Sequence, residues 1–429
     1  MNLYYEHNLT KEQRLALLRR SSSTQGDTLA AVQEICLAIK NRGDDAVREY
    51  NSKFDRAAVR NIQVSEKELA SAVNSIPAEF ADALKIAAGN IRTFHESQVK
   101  KSQHVKTMEG VECWRETRPI ERVGLYVPAG SAPLPSTVLM LGIPAVLAGC
   151  SRIVLCSPPK THESIDPLVL AAAATIGIRE VYKVGGAQAI AAMAYGTETI
   201  PKMDKIFGPG NRYVTAAKQF VSTDPDGAAI DLLAGPSEVL ILADDTARPE
   251  IVVYDMISQA EHDPDAQTVL VTTSSSLAND VLRIVSQKVP EFSRNSIIQA
   301  SLNNSYIFVA DSLASAVRFT NEYAPEHLII NTRTAEAVVP SIMNAGSVFV
   351  GPYAPVTAGD YASGTNHTLP TSGTARWASG VSLDSFLKNI TFQSITQSGL
   401  EHLAPALTTF ASVEGLQAHA RAVTARISN

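Results

Sequence analysis

VGLYVPAGSAPLPSTVLMLGIPAVLAGCSRIVLC, residues 123–156, holds a short apolar run, a loop of Gly and Pro, a helical stretch and a second apolar run. No charge falls between Arg122 and Arg152, so the segment imitates a membrane span. Pro128, Pro133, Pro135 and Pro144 interrupt it, together with Gly124, Gly130, Gly142 and Gly149. A continuous spanning helix needs about 20 uninterrupted apolar residues. A buried strand, a loop, a buried helix and another buried strand account for the pattern better. Strand, helix and strand at this spacing imply a right-handed crossover within a parallel sheet.

Outward from this unit the pattern repeats. Apolar runs at 123–127, 152–156, 180–184 and 205–207 read as strands, with helices at 136–147, 167–176 and 187–195 between them. Farther on, runs at 239–242, 268–271, 306–309, 328–330 and 348–350 alternate with helices at 249–262, 277–287, 314–323 and 335–344. The fold class is therefore α/β, with two doubly wound, incomplete Rossmann-like parallel-sheet domains. The region before Gly124 reads as mostly helical and charged, as at 66–75 and 79–95. After Thr374 the strand pattern stops, and 400–428 reads as a helical tail.

Composition narrows the function classes. Lys and Arg total 37 against 43 Asp and Glu, a net charge of −6, which argues against a basic nucleic-acid footprint. The N-terminus, MNLYYEHNLTKEQR, is polar and lacks the apolar core of a signal peptide. A cytoplasmic protein without membrane association is expected. Cys36, Cys113, Cys150 and Cys156 are scattered without ligand spacing, which suits a reducing compartment and a core role.

Three strands run directly into glycine turns followed by helices: YVPAGSAP from Tyr126, VGGAQAI from Val184 and FGPGNRYV from Phe207. Glycine lets a ligand approach the main chain, and the helix start offers free N–H groups to a phosphate. No GxGxxG occurs, so each loop alone is equally a plain turn; three in one unit favour a nucleotide. On the 249–262 helix, Asp255, Gln259 and His262 share one face. That stripe is either a hydrogen-bonded core network or a metal half-site. YAPEHLII sets Glu326 beside His327 at a strand start. The pair could exchange protons near neutral pH if the backbone turns there, because neighbours in an extended strand point opposite ways. Asp360 and His367 fall in a loop-rich segment, and Glu414 and His419 in the tail.

Taken together, YVPAGSAPLPSTVLM, VGGAQAIAA, DKIFGPGN, AGPSEVL, SQAEHDPDAQ, APEHLII, GDYASGTNHTLPT and EGLQAHA resemble the histidinol dehydrogenase family from about residue 20 to the end. The resemblance implies oxidation of L-histidinol to L-histidine through histidinal, with two NAD and one Zn2+ per subunit. Implied zinc ligands are Gln259, His262, Asp360 and His419, and the implied acid–base pair is Glu326 and His327. Ser237, His327, His367 and Glu414 would join the metal ligands around the substrate, and Tyr126, Gln188 and Asn211 would contact NAD. The family is a homodimer whose tails cross over, so His419 and Glu414 would complete the partner's site. The sequence departs from the family pattern at Ala129 and Asp263, where glycine is expected, and at Leu232-Leu233.

On this basis residues 1–25 form an N-terminal arm. Residues 26–122 plus 237–373 form a first α/β domain with the catalytic and metal residues. Residues 123–236 form a second, NAD-binding domain, and 374–429 the crossing tail. Asp255, one turn before Gln259, is a candidate to orient a ligand from behind. The rival readings are a sister enzyme acting on another polar alcohol, and a nucleotide- or metal-binding module without catalysis.

Overall fold

The computed structural model describes all residues except 21–25, 130–131, 161–162, 234 and 429. Gly130 and Ser131 of YVPAGSAP and Ala234 of AGPSEVL thus lie outside the described residues, as does the end of the N-terminal arm. In chain order the strands are β1 (Asn2–Tyr5), β2 (His104–Met108), β3 (Val111–Pro119), β4 (Arg122–Tyr126) and β5 (Arg152–Ser157). There follow β6 (Glu180–Lys183), β7 (Lys205–Phe207), β8 (Ala229–Ile230), β9 (Glu238–Ala243) and β10 (Gln267–Thr272). The last four are β11 (Tyr306–Val309), β12 (His327–Asn331), β13 (Ser347–Val350) and β14 (Leu387–Ile395).

Two parallel sheets organise the chain: six strands ordered β1-β11-β10-β9-β12-β13, and five ordered β6-β5-β4-β7-β8. Their strands are apolar at consecutive positions because both faces are covered. In β9, Val239, Ile241 and Ala243 enter one core while Leu240 and Leu242 enter the opposite one. In β5, Val154 and Cys156 lie on one side and Leu155 on the other. Each such fully buried Val or Leu contributes about 1.5–3 kcal/mol. The charge-free segment of the opening unit resolves into β4, the buried helix Pro135–Ala148 and β5, with Gly149 at φ 81 ending the helix. Among the described residues no helix is long and apolar enough to cross a membrane. The four cysteines are free.

Several expectations fail for identifiable reasons. β14 pairs antiparallel with β3, and β3 with β2, so a third sheet joins the chain before Gly124 to the chain after Thr374. These strands are largely exposed, so no burial imposes an apolar alternation that a reader could find. Residues 26–122, grouped above with 237–373, do not pack there as a unit. Val32, Ile39 and Val47 join the core of Val154 and Ile190, while Leu69, Leu84 and Ile91 join that of Leu125 and Leu139. Both cores belong to the five-stranded sheet. An amphipathic helix announces that its apolar face is covered, without announcing by what. The helix beginning at Ala335 stops at Val338, before Pro340, and the tail divides into Gln397–Val413 and Gln417–Ile427 at Gly415, φ 73.

Candidate active site

In the five-stranded sheet the chain moves outward from β4 through β5 to β6, then returns to the other side of β4 for β7 and β8. The loops leaving the carboxyl ends of β4 and β7 therefore diverge, the arrangement that opens a ligand crevice in α/β sheets. A cleft of about 1460 Å³ lies there, bordered by Pro128, Leu134, Pro209, Gly210 and Asn211. Gly208 has φ 127, and a Cβ on it would lie 2.1 Å from the Tyr126 carbonyl oxygen, so only glycine lets the two loops touch. The Asn211 side chain accepts hydrogen bonds from the N–H groups of Tyr213 and Val214 and caps the Arg212–Thr223 helix.

The facing wall comes from the amino edge of the six-stranded sheet. Ser237 immediately precedes β9, and Gln259 and His262 lie at the end of the Pro249–Ala260 helix. A helix that follows a parallel strand runs back against it, so its last turn returns to the amino edge. The helix therefore carries Gln259 and His262 to the amino edge of these strands. The helix also ends two residues early, with exposed His262 donating its N–H to the Gln259 carbonyl from the turn beyond.

At the same edge His327 begins β12 and Glu326 immediately precedes it, both 5% exposed. Ala324, in the left-handed region at φ 52, ends the preceding helix two residues before the pair. Glu326 Oε2 lies 3.4 Å from His327 Nδ1 and accepts the Glu238 N–H at 2.7 Å. His327 Nδ1 is 3.0 Å from the Glu238 carbonyl, leaving Nε2 toward Asp360 Oδ1 at 3.7 Å, too long for a hydrogen bond. Burial alone would depress the imidazole, but Glu326, Asp360 and the Glu238 carbonyl outweigh it and raise His327 to about 9. Gly346 approaches so closely that a Cβ there would sit 2.6 Å from the Glu326 carbonyl oxygen.

Asp360 sits on the short Val356–Tyr361 helix and borders the cleft. His367 stands behind it, with Nδ1 2.9 Å from the Asp360 carbonyl and Nε2 3.2 Å from Thr137 Oγ1 of the other lobe. Burial lowers the His367 imidazole below its ordinary range. Asn366 donates to the Met140 carbonyl at 2.6 Å, so this segment stitches the lobes together beneath the cleft.

Not every expected residue gathers there. Tyr126 and Gln188 are buried below the Gly185-Gly186 turn, where the Tyr126 hydroxyl accepts the Gly186 N–H at 3.0 Å and Gln188 donates to Asp55 at 3.3 Å. Neither borders the cleft, whereas Asn211 does. Glu414 and His419 are exposed on the tail, away from their own chain's cleft. Among the described residues no three His, Cys, Asp or Glu side chains come together to hold a metal. Gln259, however, is buried with both side-chain polar atoms unpartnered, and it borders the cleft with His262 and Asp360. A buried amide without partners is a costly state that a cation beside its oxygen would relieve. The imidazole and the carboxylate are donors zinc prefers, the amide oxygen is an unusual third, and a fourth has to come from elsewhere.

Two site residues escaped the sequence reading. Glu238 is buried and accepts both Arg20 Nε and Nη2 at 2.9 Å, and Arg20 borders the cleft. A charge heading the apolar run EVLILA was the available signal, since buried carboxylates are almost always paired. Nothing in the sequence marks Arg20.

A family model described as histidinol dehydrogenase matches residues 18–427. A histidinol dehydrogenase from Vibrio parahaemolyticus is 49% identical, over 98% of this chain and 97% of its own. One from Bacteroides fragilis is 49% identical over 96% of each. A solved histidinol dehydrogenase from Elizabethkingia anophelis superposes with a TM-score of 0.96 at 48% identity, covering 100% of this chain and 98% of its own. With sequence, length and architecture matched end to end, the chain belongs to the histidinol dehydrogenase family.

Proposed function

We propose that this protein oxidises L-histidinol to L-histidine through histidinal, the last step of histidine biosynthesis, as a cytoplasmic, zinc- and NAD-dependent homodimer. The observation that carries the reading is the buried Glu326–His327 pair, with His327 Nε2 3.7 Å from Asp360, which borders the cleft. Four electrons leave the substrate as two hydrides, for which two NAD molecules, bound in turn, would be the acceptors. Gln259, His262, Asp360 and the partner subunit's His419 would hold the zinc, whose chemistry there would be to orient the substrate amine and imidazole.

The remaining work falls to side chains. His327 donates from Nδ1 to the Glu238 carbonyl, so Nε2 is the atom that takes the hydroxyl proton. Asp360 is one of the carboxylates that raise His327, and a cation held there would offset it. Glu326, fixed by the Glu238 N–H, is the base for the water that adds to histidinal. Ser237 and the partner subunit's Glu414 read the polar ends of the substrate, and His367 braces Asp360 from behind. Tyr126, Gln188 and Asn211 serve the NAD side of the cleft, two of them by supporting its loops from below.

The test is NADH formed per histidinol consumed, with metal-replete and chelator-treated protein. Two NADH per histidinol, lost with the chelator and restored by zinc, is the expected result. One NADH or none sinks the reading in favour of a sister enzyme for another polar alcohol. The Glu326→Gln and His327→Asn variants should each lose at least about 100-fold in kcat, the usual worth of a positioned acid–base group.

A further inference from the structure

The main chain of one residue touches both members of the acid–base pair. The Glu238 N–H holds the Glu326 carboxylate and the Glu238 carbonyl holds His327 Nδ1. Glu238 is the first residue of β9, in register with Gln267 of β10, and the two residues before Ser237 are exposed, so any fraying of the strand would begin here. Its side chain prevents that. Oε1 accepts Arg20 Nε at 2.9 Å and the Ser372 N–H at 3.0 Å, and Oε2 accepts Arg20 Nη2 at 2.9 Å. Arg20 is fixed in turn. It donates to the Leu18 and Tyr323 carbonyls at 2.9 and 2.8 Å, and its guanidinium lies 3.5 Å from the centre of the Tyr323 ring.

We infer that Arg20 and Glu238 are a positioning pair, which sets Glu326 and His327 by immobilising the one backbone that both of them grip. The inference rests on the acid–base reading of those two residues. An ion pair serving only to staple the N-terminal arm would have no reason to end on this particular residue. The bidentate fork fixes the orientation of the carboxylate as well as its place, which a lysine in the same position does not. Arg20 side-chain exposure is 14%, and the residue borders the cleft, so a small cation can reach the space it leaves.

The experiment compares wild type, Arg20→Ala, Arg20→Lys and Glu238→Gln with histidinol, NAD and zinc, reading kcat and KM separately. Arg20→Ala is expected to lose about 10- to 100-fold in kcat, as small misplacements of reacting groups do, with KM for histidinol within about twofold. Guanidinium at millimolar concentration should restore part of the kcat of Arg20→Ala and none of that of Glu238→Gln. Arg20→Lys should stay impaired. Wild-type kcat in Arg20→Ala, or a loss carried by KM and indifferent to guanidinium, overturns the inference. Should Arg20→Ala not fold, Glu238→Gln decides alone: unchanged kcat refutes it. Amide hydrogen exchange over residues 236–240 and 324–328 needs no turnover and separates the two claims. Faster exchange there in Glu238→Gln supports the pair even if wild type fails to oxidise histidinol, and unchanged exchange counts against it.

Discussion

Asp55 and Gln259 are each placed where an isolated side chain would rather not be. Burial pushes the Asp55 carboxyl up to about 6, and its partner is the neutral Gln188 amide at 3.3 Å. A raised carboxyl binds its proton more tightly in the folded state. The stabilisation is complete below the unfolded pKa near 4 and is lost as pH rises through about 6. Asp55→Asn should therefore match wild type at pH about 4 and exceed it in denaturant midpoint at pH about 7.5. A variant equally stable or weaker at the higher pH refutes this. Gln259 presents the complementary case, with two buried polar atoms lacking any partner. Replacing such a group by an apolar one of similar shape is nearly neutral or stabilising. Gln259→Leu should leave the melting temperature of metal-free protein unchanged or higher while bound zinc, measured by atomic emission, falls below half of the wild-type content. A clear loss of metal-free stability would mean that the amide has a structural partner after all.

At the level of elements, the glycine loop after β7 is held by a buried ion pair. Lys218, on the Arg212–Thr223 helix, and Asp231, just beyond β8, have side chains 2% exposed. Lys218 donates to the Gly208 carbonyl at 2.9 Å, and Asp231 accepts the Gly208 N–H at 2.8 Å. Between them they satisfy both main-chain groups of a residue whose φ of 127 no other residue type adopts readily. Lys218→Met leaves the Asp231 carboxylate buried without its counter-ion, which costs about 3–5 kcal/mol. Urea unfolding should show that loss, and the Lys218→Met/Asp231→Asn double variant should lose less than the two single variants summed. Strict additivity would mean that the pair does not act as a unit.

For the molecule as a whole, the open question is where the tail belongs. Phe410 is 70% and Val413 83% exposed, and the Gln417–Ile427 helix buries no residue. Large apolar side chains this open on the tail call for a covering partner. Under the proposed exchange of tails, His327→Asn and His419→Ala chains are each inactive, but a heterodimer rebuilds one intact site. Statistical mixing of the two should recover about a quarter of wild-type activity, since half of the dimers carry one good site of two. No recovery after confirmed subunit exchange would place His419 in its own chain's site.

The two parallel-sheet lobes could be read from the chain because strands buried on both faces must be continuously apolar, as in EVLILA and RIVLC. The helix bearing Gln259 was legible for a similar reason, since apolar residues at helical spacing surround a polar stripe. The third sheet was not, because its exposed strands bury too little to imprint a pattern. Nor could the chain reveal which lobe the 26–96 helices cover, which sheet edge faces the cleft, or that Arg20 reaches Glu238 across 218 residues. Periodicity records how deeply each element is buried. The partner it is buried against depends on contacts between distant segments, and those exist only once the chain has folded.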